Sequence, residues 1–137
     1  MEHSRIIDRA LALAVEAHSG QTRWNGDPYV SHPMRVGAMV ADLGDLAVGA
    51  ALLHDVIEDT PYVLEDLDNL GFPEALVSTV GALTKRPGEH YFTYIRRIKR
   101  TPRARPIKLA DIADNLRDLS DGPRRDKYLE ARRILAG

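Results

Sequence analysis

Residues 45–60 read DLAVGAALLHDVIEDT. Leu46, Ala47, Val48, Ala50, Ala51, Leu52, Leu53, Val56 and Ile57 surround a helix here on nearly every side, and Asp45 stands where an N-cap belongs. A helix that is apolar all round is a buried one. The pattern predicts one continuous helix over 45–60, central to its domain. It carries His54 and Asp55 side by side, then Glu58 and Asp59 a turn later. A buried carboxylate needs a partner, an ion or a cleft. The stretch is therefore expected to form the floor of a metal-dependent active site.

The rest of the chain is built to surround such a helix. Ile6, Ile7, Ala10, Leu13, Ala14 and Ala17 recur at helical spacing before Gly20, and His18 falls on the same inner side as a core or supporting residue. QTRWNGDPYVS, residues 21–31, is a loop by its Asn-Gly and Asp-Pro signals. His32-Pro33 opens a second helix, and Pro33 at its first position holds His32 at the helix entrance. Further helices are expected over 63–70, 73–85, up to Thr101, through 106–119 around Pro106, and over 124–136. No strand, repeat or low-complexity segment is evident. The expectation is a single all-α domain over 1–137, a bundle of about eight short helices.

Charge is unevenly spread although the totals nearly cancel, at 19 Lys+Arg against 20 Asp+Glu. No cation lies between Arg35 and Lys85, while nine acids do; residues 96–108, RRIKRTPRARPIK, are basic with no acid. Such asymmetry suits a bound cation facing an anionic substrate, and equally two solvated surfaces of opposite sign. There is no cysteine, so disulfides, thiolate metal sites and a cysteine nucleophile are excluded. The first residues, MEHSRIIDRALALAVE, do not read as a secretory signal, and no stretch approaches transmembrane length, so a cytoplasmic protein is expected.

His32, His54, Asp55 and Asp111 are the groups suited to a divalent metal, two imidazoles and two carboxylates compatible with Mn, Fe, Co, Zn or Mg. Glu58 is four residues from His54 and Asp59 four from Asp55, so both are expected about one turn, ~5–6 Å, further along the same face. Asn115 stands in the same relation to Asp111. This outer row is placed to handle water and substrate, a carboxylate near metal-activated water being able to orient it or take its proton. Acids ending a helix oppose its dipole, which favours a functional reason for Glu58 and Asp59.

At this point the residues match a known pattern. The segments AVEAHSGQTRWNGDPYVSHPMRV, AALLHDVIEDT, ALTK and IKLADIADNLRDL stand in an order and spacing that resemble the HD-domain phosphohydrolases. Within them the likeness is to the hydrolase domain of RelA/SpoT-type alarmone enzymes and to stand-alone small alarmone hydrolases of the metazoan SpoT-homologue type. The resemblance implies one metal, Mn²⁺, on His32, His54, Asp55 and Asp111. It implies water activation by Glu58 and Asp59, and a nucleotide pocket near Arg23, Tyr29, Lys85 and Asn115. The implied reaction is pyrophosphate removal from the 3′ position of ppGpp to leave GDP. The partner is then a small phosphorylated nucleotide, with neither nucleic acid nor membrane. With no synthetase or regulatory domain expected, activity would be breakdown alone.

Two departures bear on substrate. Trp24 stands where the family has lysine, and Ile112 and Asp114 stand where it has a basic residue and a His or Tyr. An added acid and missing cations are expected to weaken a site for a ligand as anionic as ppGpp. Trp24 and Asp114 favour a second reading, a phosphatase for another nucleotide such as NADPH or a nucleoside monophosphate. A third is a non-catalytic nucleotide- or partner-binding module, which would not need Glu58-Asp59. A dinuclear-iron oxygenase would want more histidines than His3, His18 and His90 supply in any recognisable pattern.

Overall fold

The computed structural model describes residues 3–137, with side chains from Arg5 onward. Its helices in chain order are α1 (His3–Ala17), α2 (Ser31–Met39), a 3₁₀ turn (Ala41–Leu43), α3 (Asp45–Leu53), α4 (Val56–Asp59), α5 (Leu64–Asn69), α6 (Glu74–Leu83), α7 (Tyr91–Lys99), α8 (Ala104–Arg117) and α9 (Pro123–Ala136). The only extended pairing among the described residues is an isolated bridge between Thr22 and Pro28 inside the loop before α2. The fold is all-α, as the periodicity predicted, and no described helix is long and apolar enough to cross a membrane.

Two helices organise the bundle. The α3 helix packs against α1, α2, α6 and α8, which is why its apolar residues go all the way round. Ala50, Ala51, Leu52, Leu53 and, just beyond it, Val56 are buried, and burying a side chain such as Leu53 stabilises by roughly 1.5–3 kcal/mol. Gly49 sits where α3 crosses α1 and α6, and a Cβ there would lie 2.8 Å from Leu76 Cδ1 and 2.9 Å from Ile6 Cγ2. Glycine is what permits that approach. The α8 helix is the second organiser, contacting α2, α3, α6, α7 and α9. Its contact with α2 brings His32 onto Asp111, which is distant in sequence, and this contact builds the site.

The central helix differs from expectation in two respects. Asp45 is its first residue rather than its cap; Gly44, at φ +100°, precedes it, and an acid in the first turn suits the dipole. More consequentially, 45–60 is not one helix. The ladder breaks at His54 and Asp55, where His54 N reaches back only to Ala51 O at 3.4 Å and Asp55 adopts φ −100°, ψ −3°. A regular helix turns about 100° between neighbours, so adjacent side chains diverge. The break allows both to face Asp111, a requirement that apolar periodicity does not register.

Candidate metal centre

His32, at the start of α2, His54 and Asp55, at the break between α3 and α4, and Asp111, in α8, each offer one ligand atom, all within 4.8 Å of one another. His32 Nε2 lies 2.7 Å from Asp111 Oδ1 and 3.5 Å from Asp55 Oδ2; His54 Nε2 lies 3.2 Å and 3.1 Å from the same two atoms. Both imidazoles thus direct Nε2 at the shared centre. The opposite ring nitrogens are occupied, His54 Nδ1–H donating to Ala51 O at 2.6 Å and His32 Nδ1–H to Asp114 Oδ2 at 2.7 Å. A metal-binding histidine characteristically donates its other N–H to a carbonyl or carboxylate, and here both do. Two nitrogens and two carboxylate oxygens so arranged fit a divalent ion of the borderline-to-hard type.

Asp111 holds the arrangement together. Its Oδ2 accepts from Lys108 Nζ at 2.8 Å, and its Oδ1 also accepts from Asn115 Nδ2 at 3.2 Å. Burial opposes its charge, but Lys108 and His54 hold its carboxyl well below the usual range. Burial likewise opposes the Lys108 ammonium, which Asp111 holds well above its ordinary value. Burial and the charge of His54 act against each other on Asp55, leaving it at about 2. The same carboxylates outweigh the burial of His54 and hold its ring charged well above the usual histidine value.

The outer residues gather at the mouth of this centre. Glu58 and Asp59 line a cleft of about 280 Å³ with Arg23, Trp24, Tyr29, Lys85, Lys108 and Asn115. Glu58 Oε1 accepts from the Lys85 backbone N–H, which ties α4 to the end of α6, and burial raises its carboxyl. Asp59 is raised too, by burial and then by Asp55. Tyr29 donates its hydroxyl to Asp55 Oδ2 at 2.9 Å and lies 3.1 Å from Asp59 Oδ2. Arg23 is only 4% exposed; its Nη2 donates to Asn115 Oδ1 at 3.2 Å, while Nε and Nη1 find no partner. Asn115 therefore bridges Asp111 and Arg23, with one end of its amide on each. Every candidate residue named from the sequence lines or adjoins this one cleft.

Several sequence expectations change. Asp114 does not face the cleft: it is fully buried against His32 and against Arg35, whose Nε and Nη2 donate to it at 2.6 and 3.1 Å. Ile112 is in the core. Ile112 therefore adds no charge to the substrate side, whereas the Asp114 carboxylate lies 3.9 Å from Nη2 of Arg23, the buried cation of the cleft. Trp24 does alter that side, being half-exposed at the rim with the Arg23 guanidinium 4.4 Å and that of Arg124 5.7 Å from its ring centre. His18 supports rather than ligates. Its Nδ1–H donates to Gln21 Oε1 at 2.9 Å, and Gln21 in turn donates to the Asp59 carbonyl at 2.9 Å. The basic run divides: Lys108 turns into the site, Arg97 pairs with Glu89 at 3.0 Å, and Arg96, Lys99 and Arg100 line a separate groove beside α9. Sequence reasoning misses Lys108 and Arg35, although each stands three residues from a candidate ligand, Asp111 and His32.

The charges set the pH response of chelator-treated protein. Asp55, lowered in the fold, contributes stability above the ordinary aspartate value of about 3.9 and loses it as pH falls toward its folded value. His54, raised in the fold, contributes fully below about 6.5 and loses that contribution as pH rises through its folded value. The melting temperature is expected to peak between about pH 4 and 6.5 and fall on both sides. Added divalent metal should lift the alkaline limb most, since ligand imidazoles must be unprotonated. Thermal melts across pH with and without chelator check this. A flat profile from mildly acidic to alkaline pH without metal contradicts it.

An all-helical bundle whose buried histidine–aspartate centre spans two helices, α2 and α8, and the break between α3 and α4 defines a recognisable class. Residues 10–136 match the family model described as HD domain, and the chain belongs to that family. Among curated proteins, it is 36% identical over 141 residues to a probable GTP pyrophosphokinase of Mycobacterium leprae, a match covering 95% of this chain and 18% of that protein. It is 36% identical over 126 residues to the bifunctional (p)ppGpp synthase/hydrolase SpoT of Escherichia coli, covering 82% of this chain and 18% of SpoT. The chain thus spans under a fifth of the length of these relatives. Among solved structures it is similar to a metazoan orthologue of SpoT described as hydrolysing ppGpp and playing a role in starvation responses. That similarity has a TM-score of 0.78 at 30% identity over 95% of this chain and 83% of that one.

Proposed function

We propose that the protein is a metal-dependent hydrolase that removes pyrophosphate from the 3′ position of ppGpp, leaving GDP. The observation that carries this reading is the meeting, in one cleft, of the four-donor cluster, the Glu58-Asp59 pair and a buried arginine with two unpartnered nitrogens. The similarity to a metazoan ppGpp-hydrolysing protein over nearly all of this chain supports the substrate. Mn²⁺ is the proposed metal, held by His32, His54, Asp55 and Asp111. When bound, a divalent ion supplies Lewis acidity, acidifying water and offsetting phosphoryl charge.

The chain supplies the remainder. Tyr29 fixes the orientation of Asp55, and Lys108 with Asn115 fixes that of Asp111. Glu58, whose carboxyl is raised by burial, takes the proton of the attacking water, with Asp59 beside it. The water oxygen bonds to the phosphorus as the bond to the ribose 3′ oxygen breaks, and the proton taken by Glu58 passes to that leaving oxygen. Arg23 donates its free N–H groups to the developing anion, and Lys85 adds charge at the rim. A cleft of about 280 Å³ is at the lower edge of ligand-pocket sizes, so it takes the phosphorylated end while the base lies outward toward Trp24.

The half-exposed Trp24 at that rim favours a second reading, a phosphatase for another nucleotide. Product analysis with Mn²⁺ across ppGpp, NADPH and nucleoside monophosphates separates them. Pyrophosphate from ppGpp is the expected result, and orthophosphate from one of the others would replace it with the second reading. No turnover of any of them by metal-loaded protein would leave a nucleotide-binding module.

A further inference from the structure

Asp114 is buried completely, yet it neither belongs to the donor cluster nor lines the cleft. A buried carboxylate is costly unless its lone pairs are satisfied, and Arg35 by itself reaches both oxygens. The additional contact, from His32 Nδ1 at 2.7 Å, is therefore not needed to keep Asp114 in the core. Its consequence falls on His32. With a metal held on Nε2, the proton of a neutral His32 must sit on Nδ1, where the Asp114 carboxylate, which can only accept, receives it. His54 has the same constraint from a backbone carbonyl, which no substitution can remove. For His32 the constraint rests on one side chain.

We propose that Asp114 is a positioning residue for the metal centre, locking the tautomer and ring orientation of His32 while Arg35 holds Asp114 in place. The acid that reads in the sequence as opposing an anionic substrate instead serves the metal side of the site. This rests on the reading of His32 as a ligand.

The test uses the full chain and three proteins: the parent, Asp114→Asn and Arg35→Gln. Mn²⁺ affinity is measured by calorimetry well below the melting temperature of each, and melting is measured with chelator. Asparagine keeps the shape but can also donate, which permits the wrong tautomer. The expected result is Mn²⁺ binding weakened by about 10–100-fold in Asp114→Asn, the usual range for such partners. Arg35→Gln, which keeps the His32–Asp114 hydrogen bond, should stay much nearer the parent in affinity while its melting temperature falls. An Asp114→Asn variant that binds as tightly as the parent overturns the inference. So does a loss of affinity in both variants that merely follows their loss of stability. If Asp114→Asn does not fold, ¹⁵N resonances of the Zn²⁺-loaded parent decide: His32 must carry its proton on Nδ1, and an unprotonated Nδ1 refutes the role. A parent that binds no divalent ion removes the metal reading itself, and this inference with it.

Discussion

Asp111→Ala is expected to abolish divalent-metal binding and to destabilise the fold by about 3–5 kcal/mol, the cost of leaving a buried charge without its partner. The stranded charge is Lys108, buried with its ammonium 2.8 Å from Asp111 Oδ2. The same substitution takes the acceptor from His32 Nε2 and leaves Asn115 attached only to Arg23. Metal titration and thermal melting of the same preparation read both effects. Adding Lys108→Met to Asp111→Ala removes the stranded ammonium and should restore much of the stability without restoring metal binding. A single variant that melts with the parent and still binds Mn²⁺ would show that Asp111 neither ligates nor balances Lys108.

Glu58→Gln should separate chemistry from metal binding. Glu58 lies outside the four-donor cluster, and glutamine keeps both its shape and an oxygen for the Lys85 N–H. Metal affinity should therefore match the parent. The turnover number should fall by about 10²–10⁴, the usual contribution of a positioned general base. Steady-state kinetics on the substrate that the product analysis selects gives the rate, and calorimetry gives the metal. Turnover equal to the parent's would remove Glu58 from the mechanism and leave Asp59 as the carboxylate that handles water.

Much of this site is legible in the amino-acid sequence. Two imidazoles and two carboxylates suit a divalent ion, and acids that follow His54-Asp55 at a helix end oppose its dipole, which favours a functional reason for them. Asp114 and Lys108 are not legible in the same way. Asp114 reads as one more charge on the substrate side, since sequence spacing assigns a residue to a face of its own helix without naming what packs there. The packing of α2 on α8 puts Arg35 and His32 against it and turns a liability into a support. Lys108 disappears into a basic run whose other members are surface or pair elsewhere.

Residues 45–60 mark the boundary. Their apolar composition alone determined a buried central helix, because burial follows from side-chain chemistry at helical spacing, and their His-Asp pair, within the ordered set of motifs, raised the expectation of a metal site. The break at His54 and Asp55 was decided only in three dimensions. Local propensity favours continuing the helix, and converging on Asp111, on a helix far along the chain, requires interrupting it. Sequence thus named the candidate groups, through their types and local periodicity. The tertiary structure decided which of them meet, because contacts between distant helices fix the tautomers, charges and directions that a ligand encounters.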